Sequence, residues 1–531
     1  MNLLYLLLPL LLLLLQNPTS TLSATPQVLL SSCAAARHPD LCYSAISASP
    51  HLIPSISSHN DVIHASLNLA ISSIQNSSSH LQTIPLSSAT LTRRERNALQ
   101  DCVRLFQDSL EELRLAEADL VNASGFDAVD VEFLISGAMT NHETCIDGFS
   151  HDEVDRRLRA RVLDGVDHVI RMCANSLAMV RNGTSPASRL PSTNWTEMLE
   201  GEVQAKVEVN VTVAADGSGD FRTVGAAVDA APEKSKSRYV IEIKEGRYEE
   251  YVFVGKKKTK GQAVALRVKA NFSAFYNCDI LGYQDTLYAH HNRQFYRNCL
   301  IRGTVDFIFG NAAVVLQDCD IQVRQPNPGQ KNMVTAHGRK DPDEPTAISI
   351  HRCRIGAEPG FNKSLNPTYL GRPWKEYSRT VIMQSNISEV IHPAGWHEWD
   401  GGFALDTLYY GEYGNSGPGA GTAQRVNWTG HRIIYNSTEA QQFAAVSLLT
   451  GSEWLGSTGF PYYLGFEGDV SSSCSSVVEV GTKPSFERGS KEKLLELGRG
   501  RRGAPLIGVD DGPPEVDDGA PRFHFVVLGG A

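Results

Sequence analysis

Two aspartates have the type and spacing to do chemistry: Asp285 in YQDTL and Asp306 in GTVDFIFGN. Asp306 lies between Val305 and the apolar run Phe307, Ile308 and Phe309, company in which a charged carboxylate is costly. The two acids are twenty-one residues apart. If the chain winds with a repeat of that length, both carboxyls occupy the same point on adjacent coils, a few ångströms from each other. Two carboxyls that close do not both ionise readily, so their pKa values split. One is then charged and nucleophilic at neutral pH, and the other keeps a proton to donate. That pair is equipped to attack a carbonyl carbon and protonate a departing alcohol. Alternation places Val305 and Phe307 in the core and aims Asp306 at a groove. Gln284, beside Asp285, and Gln262, in QAVAL, offer neutral amide donors for a developing oxyanion. GRPWKEYSRT brings Arg372, which can hold a carboxylate in a fork, and Trp374, whose flat face suits a sugar ring.

A winding chain is what the surrounding sequence predicts. SAFYNCDI, RQFYRNCLI, AVVLQDCDI and AISIHRCRI share an apolar pair, one or two polar residues, a cysteine, one residue and an isoleucine. Their cysteines are Cys278, Cys299, Cys319 and Cys353; the last gap is longer, as if one turn carried an insertion. Short strands at this period fit a solenoid of β-coils, with equivalent residues stacked at about 4.8 Å. Cross-strand pairs in an antiparallel sandwich are the competing architecture, and near-regular spacing favours the parallel β-helix. Stacked cysteines could bridge, in a pairing that spacing leaves open.

Before the repeat, residues 26 to 180 are helical in pattern. ERNALQDCVRLFQDSLEELRLAEADL places Leu99, Cys102, Val103, Phe106, Leu110 and Leu113 on one stripe. VEFLISGAMTNHETCIDGF and RVLDGVDHVIRMCANSLAMV repeat the pattern. Cys102 and Cys145 lie on the buried stripes of different helices, which makes a bridge between them reasonable. Cys33 and Cys42 can close a small loop, and Cys173 is left over. Residues 181–207 read as a linker, and residues 467–531, rich in Gly, Pro and charge, as a disordered tail.

The 531 residues carry a formal net charge of -10, against a general nucleic-acid binder. LLYLLLPLLLLLL near the start is an apolar core of signal-peptide length, with cleavage expected by about residue 24. It is too short to span a bilayer comfortably, so residues 1–24 read as a signal peptide and no stable membrane insertion is expected. Recurrent N-glycosylation sequons, at Asn122, Asn182, Asn210, Asn271, Asn386 and Asn436, fit secretion, as does cysteine usage. No CxxC pair with zinc spacing occurs, so no metal is expected. No G-x-S-x-G segment occurs, which disfavours a serine esterase.

At GRYEE (246–250), QAVAL (262–266), YQDTL (283–287), DFIFG (306–310), LGRPW (370–374) and WLGSTGFPYYLG (454–465) the chain resembles the plant pectinesterases, or pectin methylesterases. The resemblance covers residues 208–466. The helical region is similar to that family's inhibitor-like pro-region, with Cys33, Cys42, Cys102 and Cys145 at its usual cysteine positions. The resemblance implies an all-α N-terminal bundle followed by a right-handed parallel β-helix. It implies removal of methyl esters from pectin in the cell wall, with no cofactor. By it, Asp306 is the nucleophile, Asp285 the proton donor and later base, and Gln262 and Gln284 the oxyanion donors. Arg372 orients Asp306, while Trp374 and Phe309 meet the substrate. The N-terminal region would inhibit intramolecularly. The chain departs from the family's pattern after Thr259, where a couple of coils are missing. It also lacks the basic processing motif between the two regions, and the tail after Phe466 has no counterpart. The alternatives are a catalytically dead homologue that inhibits or binds, and a pectin-cleaving hydrolase or lyase on the same scaffold.

Overall fold

The computed structural model describes residues 24–84, 91–121, 128–149, 156–183, 209–232, 238–244, 252–254, 264–466 and 523–528, with single positions between 246 and 250. Residues 1–23 of the segment read as a signal peptide, the 181–207 linker beyond Gly183, Gln262, and residues 467–522 and 529–531 of the tail lie outside the described residues.

Among the described residues six α-helices form the N-terminal region: α1 (Ala24–Ala34), α2 (Pro39–Ser47), α3 (His59–Gln82), α4 (Arg93–Val121), α5 (Ala128–Asp147) and α6 (Arg156–Gly183). Their starts are written in the sequence. Ser58 accepts from the Asp61 amide while the Asp61 carboxylate takes the Ser58 amide, a capping box; against partial burial, hydrogen bonds from Ser57 and then Ser58 hold Asp61 down at about 2. Thr92 and Glu95 do the same for α4. Leu99, Cys102, Phe106 and Leu113 are buried as the stripe predicted. Both expected bridges are present, Cys33–Cys42 and Cys102–Cys145, and Cys173 is a buried free thiol.

The second part is a parallel β-helix. Successive coils feed three sheets: a long sheet of ten strands, a site sheet of six and a third sheet of five. Pairing along the repeat is parallel throughout, as in Val314↔Gln294 and Val314↔Ile348, so the antiparallel sandwich is excluded. Isoleucines of the repeat stack inside the coils: Ile280, Ile301, Ile321, Ile355 and Ile387 all belong to one core. Cys278, Cys299, Cys319 and Cys353 form an interior ladder of thiols outside any disulfide; the bridge that stacking permitted is not made. Corners between the long and third sheets repeat a left-handed residue one coil apart: Asn277, Asn298, Asp318, Arg352 and Gln384, with φ of 54°, 52°, 51°, 58° and 47°. Asn and Asp tolerate that conformation best.

The insertion in the repeat has a definite place. Gly310↔His337 is in register on the site sheet, and Ala313↔Ala347 on the long sheet. Three residues therefore separate the two positions in one coil and ten in the next. The extra residues form a charged loop, 338–346, which reaches the helical region. Lys340 bonds Glu143 at 2.8 Å, Arg37 bonds Asp343 at 2.7 Å and Ser136 donates to Glu344 at 3.2 Å.

Burial holds five histidines neutral. His142 and His351 drop to about 4, and His290, His291 and His337 fall well below 6.5. Burial also raises Glu112 to about 8 and Glu344 to about 7. Below their ordinary value of 6.5 the histidines take up protons in the unfolded chain alone, so acidification destabilises the fold. Above it, unfolded carboxyls are already ionised while the two folded glutamates cling to protons, so stability also falls as pH rises through 7 and 8. Stability is expected to peak at roughly pH 6.5, and urea midpoints measured from pH 4.5 to 8.5 check it. A midpoint rising steadily to pH 8.5 contradicts this balance.

Candidate active site

Strand Leu287–Ala289 pairs with Ile308–Gly310 on the site sheet through Ile308↔Leu287. Two residues ahead of these partners stand Asp306 and Asp285, at equivalent points of neighbouring coils. Backbone bonds carry the register outward: the Asp285 amide donates to Val305 O at 3.0 Å and the Leu287 amide to Phe307 O at 2.8 Å. Both aspartates are left-handed, with φ of 62° and 51°, so the corner turns each carboxyl out of the coil while Phe307 enters the core. Gly310, at φ 127°, admits no side chain, since a Cβ would lie 1.9 Å from Ala289 O. Coils pack at the site with no slack.

Arg372, just past strand Thr368–Gly371, grips Asp306 with a two-pronged fork: Nε to Oδ1 at 2.8 Å and Nη2 to Oδ2 at 2.6 Å. Burial raises the Asp306 carboxyl above its ordinary range, and Arg372 opposes the rise. Asp285 has no such fork. Burial first, and the Asp306 charge second, push it up to about 7. The splitting expected from spacing therefore acquires a direction: Asp306 ionises first and Asp285 retains the proton.

Replacing Arg372 with Lys is expected to lower turnover about 10- to 100-fold, because a point charge cannot make the fork. The acid limb of the pH profile should also move upward as Asp306 loses its partner. An unshifted limb would assign Arg372 a merely structural part.

Phe309 and Trp374 meet beside the pair, their rings 5.9 Å apart and edge-on. Gln284 is exposed at the same corner. Two further residues belong here that the motifs did not single out. Tyr288 stacks on Phe309 at 4.3 Å; it is the register partner of Phe309, so the twenty-one-residue count that located Asp285 also points to it. Trp399 lies under the Arg372 guanidinium at 4.3 Å. It comes from an irregular segment beyond the repeat, where no periodicity signals it.

The helical region covers this face. Thr144, on α5, is 2.7 Å from His290 Nε2 and 3.2 Å from the Tyr288 hydroxyl. Asp147 takes a bond from Lys375 at 2.7 Å, and Lys375 in turn sits over the Trp374 ring at 5.2 Å. Nearby, Thr140 accepts from Asn311 at 2.8 Å, and Asp108 pairs with Lys269.

Among the described residues no group of His, Cys, Asp and Glu could hold a metal ion, and no helix is long and apolar enough to cross a membrane.

A coiled parallel scaffold with stacked carboxyls, joined to a helical inhibitor-like region, defines the class, and comparison with known proteins agrees. The Pectinesterase family matches residues 210–260 and 258–452, and the plant invertase/pectin methylesterase inhibitor family matches residues 27–179. Pectinesterase 1 of Citrus sinensis is 46% identical over 517 residues, covering 82% of this chain and 88% of its own. Pectinesterase/pectinesterase inhibitor U1 of Solanum lycopersicum is 45% identical over 524 residues, covering 83% and 90%. The solved pectin methylesterase from carrot is 53% identical, covers 49% of this chain and 99% of its own, and has a TM-score of 0.46. The chain belongs to the pectinesterase family and carries that family's inhibitor-like region ahead of its enzyme region. The two pectinesterase matches overlap at residues 258–260, beside the point where the sequence predicts that coils of the family are missing.

Proposed function

We propose that the protein is a secreted pectin methylesterase that hydrolyses methyl esters of galacturonosyl units in cell-wall pectin, and that its helical region holds it closed until the two regions part. The observation that carries the reaction is the Asp306–Arg372 fork beside Asp285, whose carboxyl burial and the Asp306 charge push up to about 7. In this reading the Asp306 carboxylate attacks the ester carbonyl carbon. Amide N–H groups of Gln284 and Gln262 receive the oxyanion. The tetrahedral intermediate collapses, the carbonyl–methoxy bond breaks, and Asp285 gives its proton to the leaving oxygen, releasing methanol. Asp285, now a carboxylate, draws a proton from water, which attacks the acyl group on Asp306. Collapse restores both aspartates and leaves a galacturonate. Tyr288, Phe309 and Trp374 supply apolar surface for sugar rings, and Arg372 keeps Asp306 aimed.

The closed state is supported by the bonds of α5 to Tyr288, His290 and Lys375, against the same aromatic surface. A substrate polymer cannot lie there while Thr144 and Asp147 do.

A second reading, a homologue without turnover, rests on the short step before the site: Val252↔Leu266 are fourteen residues apart, whereas Leu266↔Leu287 are twenty-one. Gln262 belongs to that short step. Methanol release from methylated homogalacturonan, measured before and after the chain is cut within residues 184–208, separates the readings. Release after cutting supports the esterase. A folded, cut protein with no release favours the second reading, and new reducing ends or unsaturated products would favour a chain-cleaving enzyme.

A further inference from the structure

The fourteen-residue step leaves the solenoid uneven. Each full coil runs through the site sheet, then the long sheet, then the third. From strand Val252–Val254 to strand Leu266–Val268 the chain returns to the site sheet in direct register, Val252↔Leu266 and Val254↔Val268. Fourteen residues complete that return, where the next two coils each take twenty-one, as in Leu266↔Leu287 and Ile308↔Leu287. The site sheet is therefore continuous. The long sheet is not continued by the coils: among the described residues the short step contributes no strand between Arg238–Ile243 and Ser273–Tyr276, so one rung there is left to another segment. Two sheet edges face each other across two strand spacings, roughly 9.6 Å. Unpaired edges of this kind are unstable and invite another strand.

That rung is occupied. Residues Phe523–Leu528 run antiparallel between the two edges. On one side Val240↔Val526, Ile241↔Phe525 and Glu242↔His524 are in register. On the other, Ala274↔Val526, Phe275↔Phe525 and Tyr276↔His524 continue it. The segment reads FHFVVL, aromatic and β-branched, a strand-forming composition, at the end of a tail otherwise rich in Gly, Pro and charge. For these six residues the expectation of a disordered tail is corrected: an open slot with donors and acceptors on both sides selects a strand. We infer that the C-terminal segment 523–528 is a built-in donor strand that replaces the missing rung of the shortened β-helix in its own chain. The slot is a site for an extended peptide, read by main-chain bonding as in strand-addition complexes. The strand next to it, Ser273–Tyr276, belongs to the coil that leads into Asp285, so the filled rung supports the first coil of the site.

Hydrogen exchange on the full-length protein tests this without reference to turnover, so it stands or falls separately from the proposed reaction. Amides of residues 523–528 are expected to exchange at least ~100-fold slower than in an unstructured chain. Exchange at unprotected rates overturns the inference. So does protection that appears only at concentrations where the protein dimerises, which would mean a strand swapped between copies. Val526→Pro removes a main-chain donor and cannot sit in a central strand. It is expected to expose 238–243 and 273–276 while 313–317 and 347–351 stay protected, and a synthetic RFHFVVLGG peptide should restore the loss in a chain ending at Pro521. Unchanged protection of both edges in Val526→Pro also overturns it.

Discussion

Asp306→Asn is expected to lower methanol release by at least ~10⁴-fold with little change in KM, because in the proposed reaction it removes the nucleophile and leaves the aromatic surface in place. The substitution keeps the size of the side chain but takes away the negative charge that the Arg372 fork steadies. The platform of Tyr288, Phe309 and Trp374 does not depend on that charge, so substrate affinity should survive. Asp285→Asn belongs to the same experiment. It removes the acid, so the step most affected is departure of methanol, and poor leaving groups should suffer more than activated ones. In the unsubstituted enzyme Asp285 sits at about 7. It must be protonated to act as acid, so kcat/KM should fall as pH rises through that value, and in Asp285→Asn that limb should vanish. Retention of a tenth of the activity in Asp306→Asn would remove Asp306 from the chemistry.

Reversing the charges that clamp the helical region is expected to raise turnover of the uncut chain at least about tenfold, since two attractions across the contact become like-charge repulsions. Glu143→Lys with Asp147→Lys places cations against Lys340 and Lys375, which hold those two acids at 2.8 and 2.7 Å. Both substitutions lie in α5, outside the site, so the intrinsic chemistry is untouched. Cutting the chain within 184–208 should give the same gain in the unsubstituted protein. If the reversed variant docks as before, yet turnover is unchanged from an equally low level, the helical region is not what closes the groove. If both proteins are fully active, no closure exists.

Much of this could be read from residues in order. The period of the repeat, the two aspartates one period apart, the parallel winding and the helical stripes depend on local pattern. A coil of fixed length turns sequence distance into spatial adjacency, so counting twenty-one residues from Asp306 reaches Asp285 without any coordinates. The same count from Phe309 reaches Tyr288. The two helical bridges were legible for a like reason, each cysteine standing on a predictable buried stripe or in a short loop.

Tertiary structure decided what period does not encode. Thr140 and Glu143 are buried on α5 where Asn311 and Lys340 of the β-helix meet them, whereas Asn141 and His142 are buried within the helical region against Glu112 and Phe106. Trp399 reaches Arg372 from a segment without repeat. The insertion in the repeat was visible as extra length, but only docking shows that its charges grip the helical region. Thiol stacking allowed a bridge that the folded ladder does not make. The clearest case is the rung at 523–528. Composition assigns that tail to disorder, and its partners lie about 250 and about 285 residues away. The strand exists because a shortened coil leaves main-chain donors and acceptors unsatisfied, and that need arises only once the rest of the chain has wound.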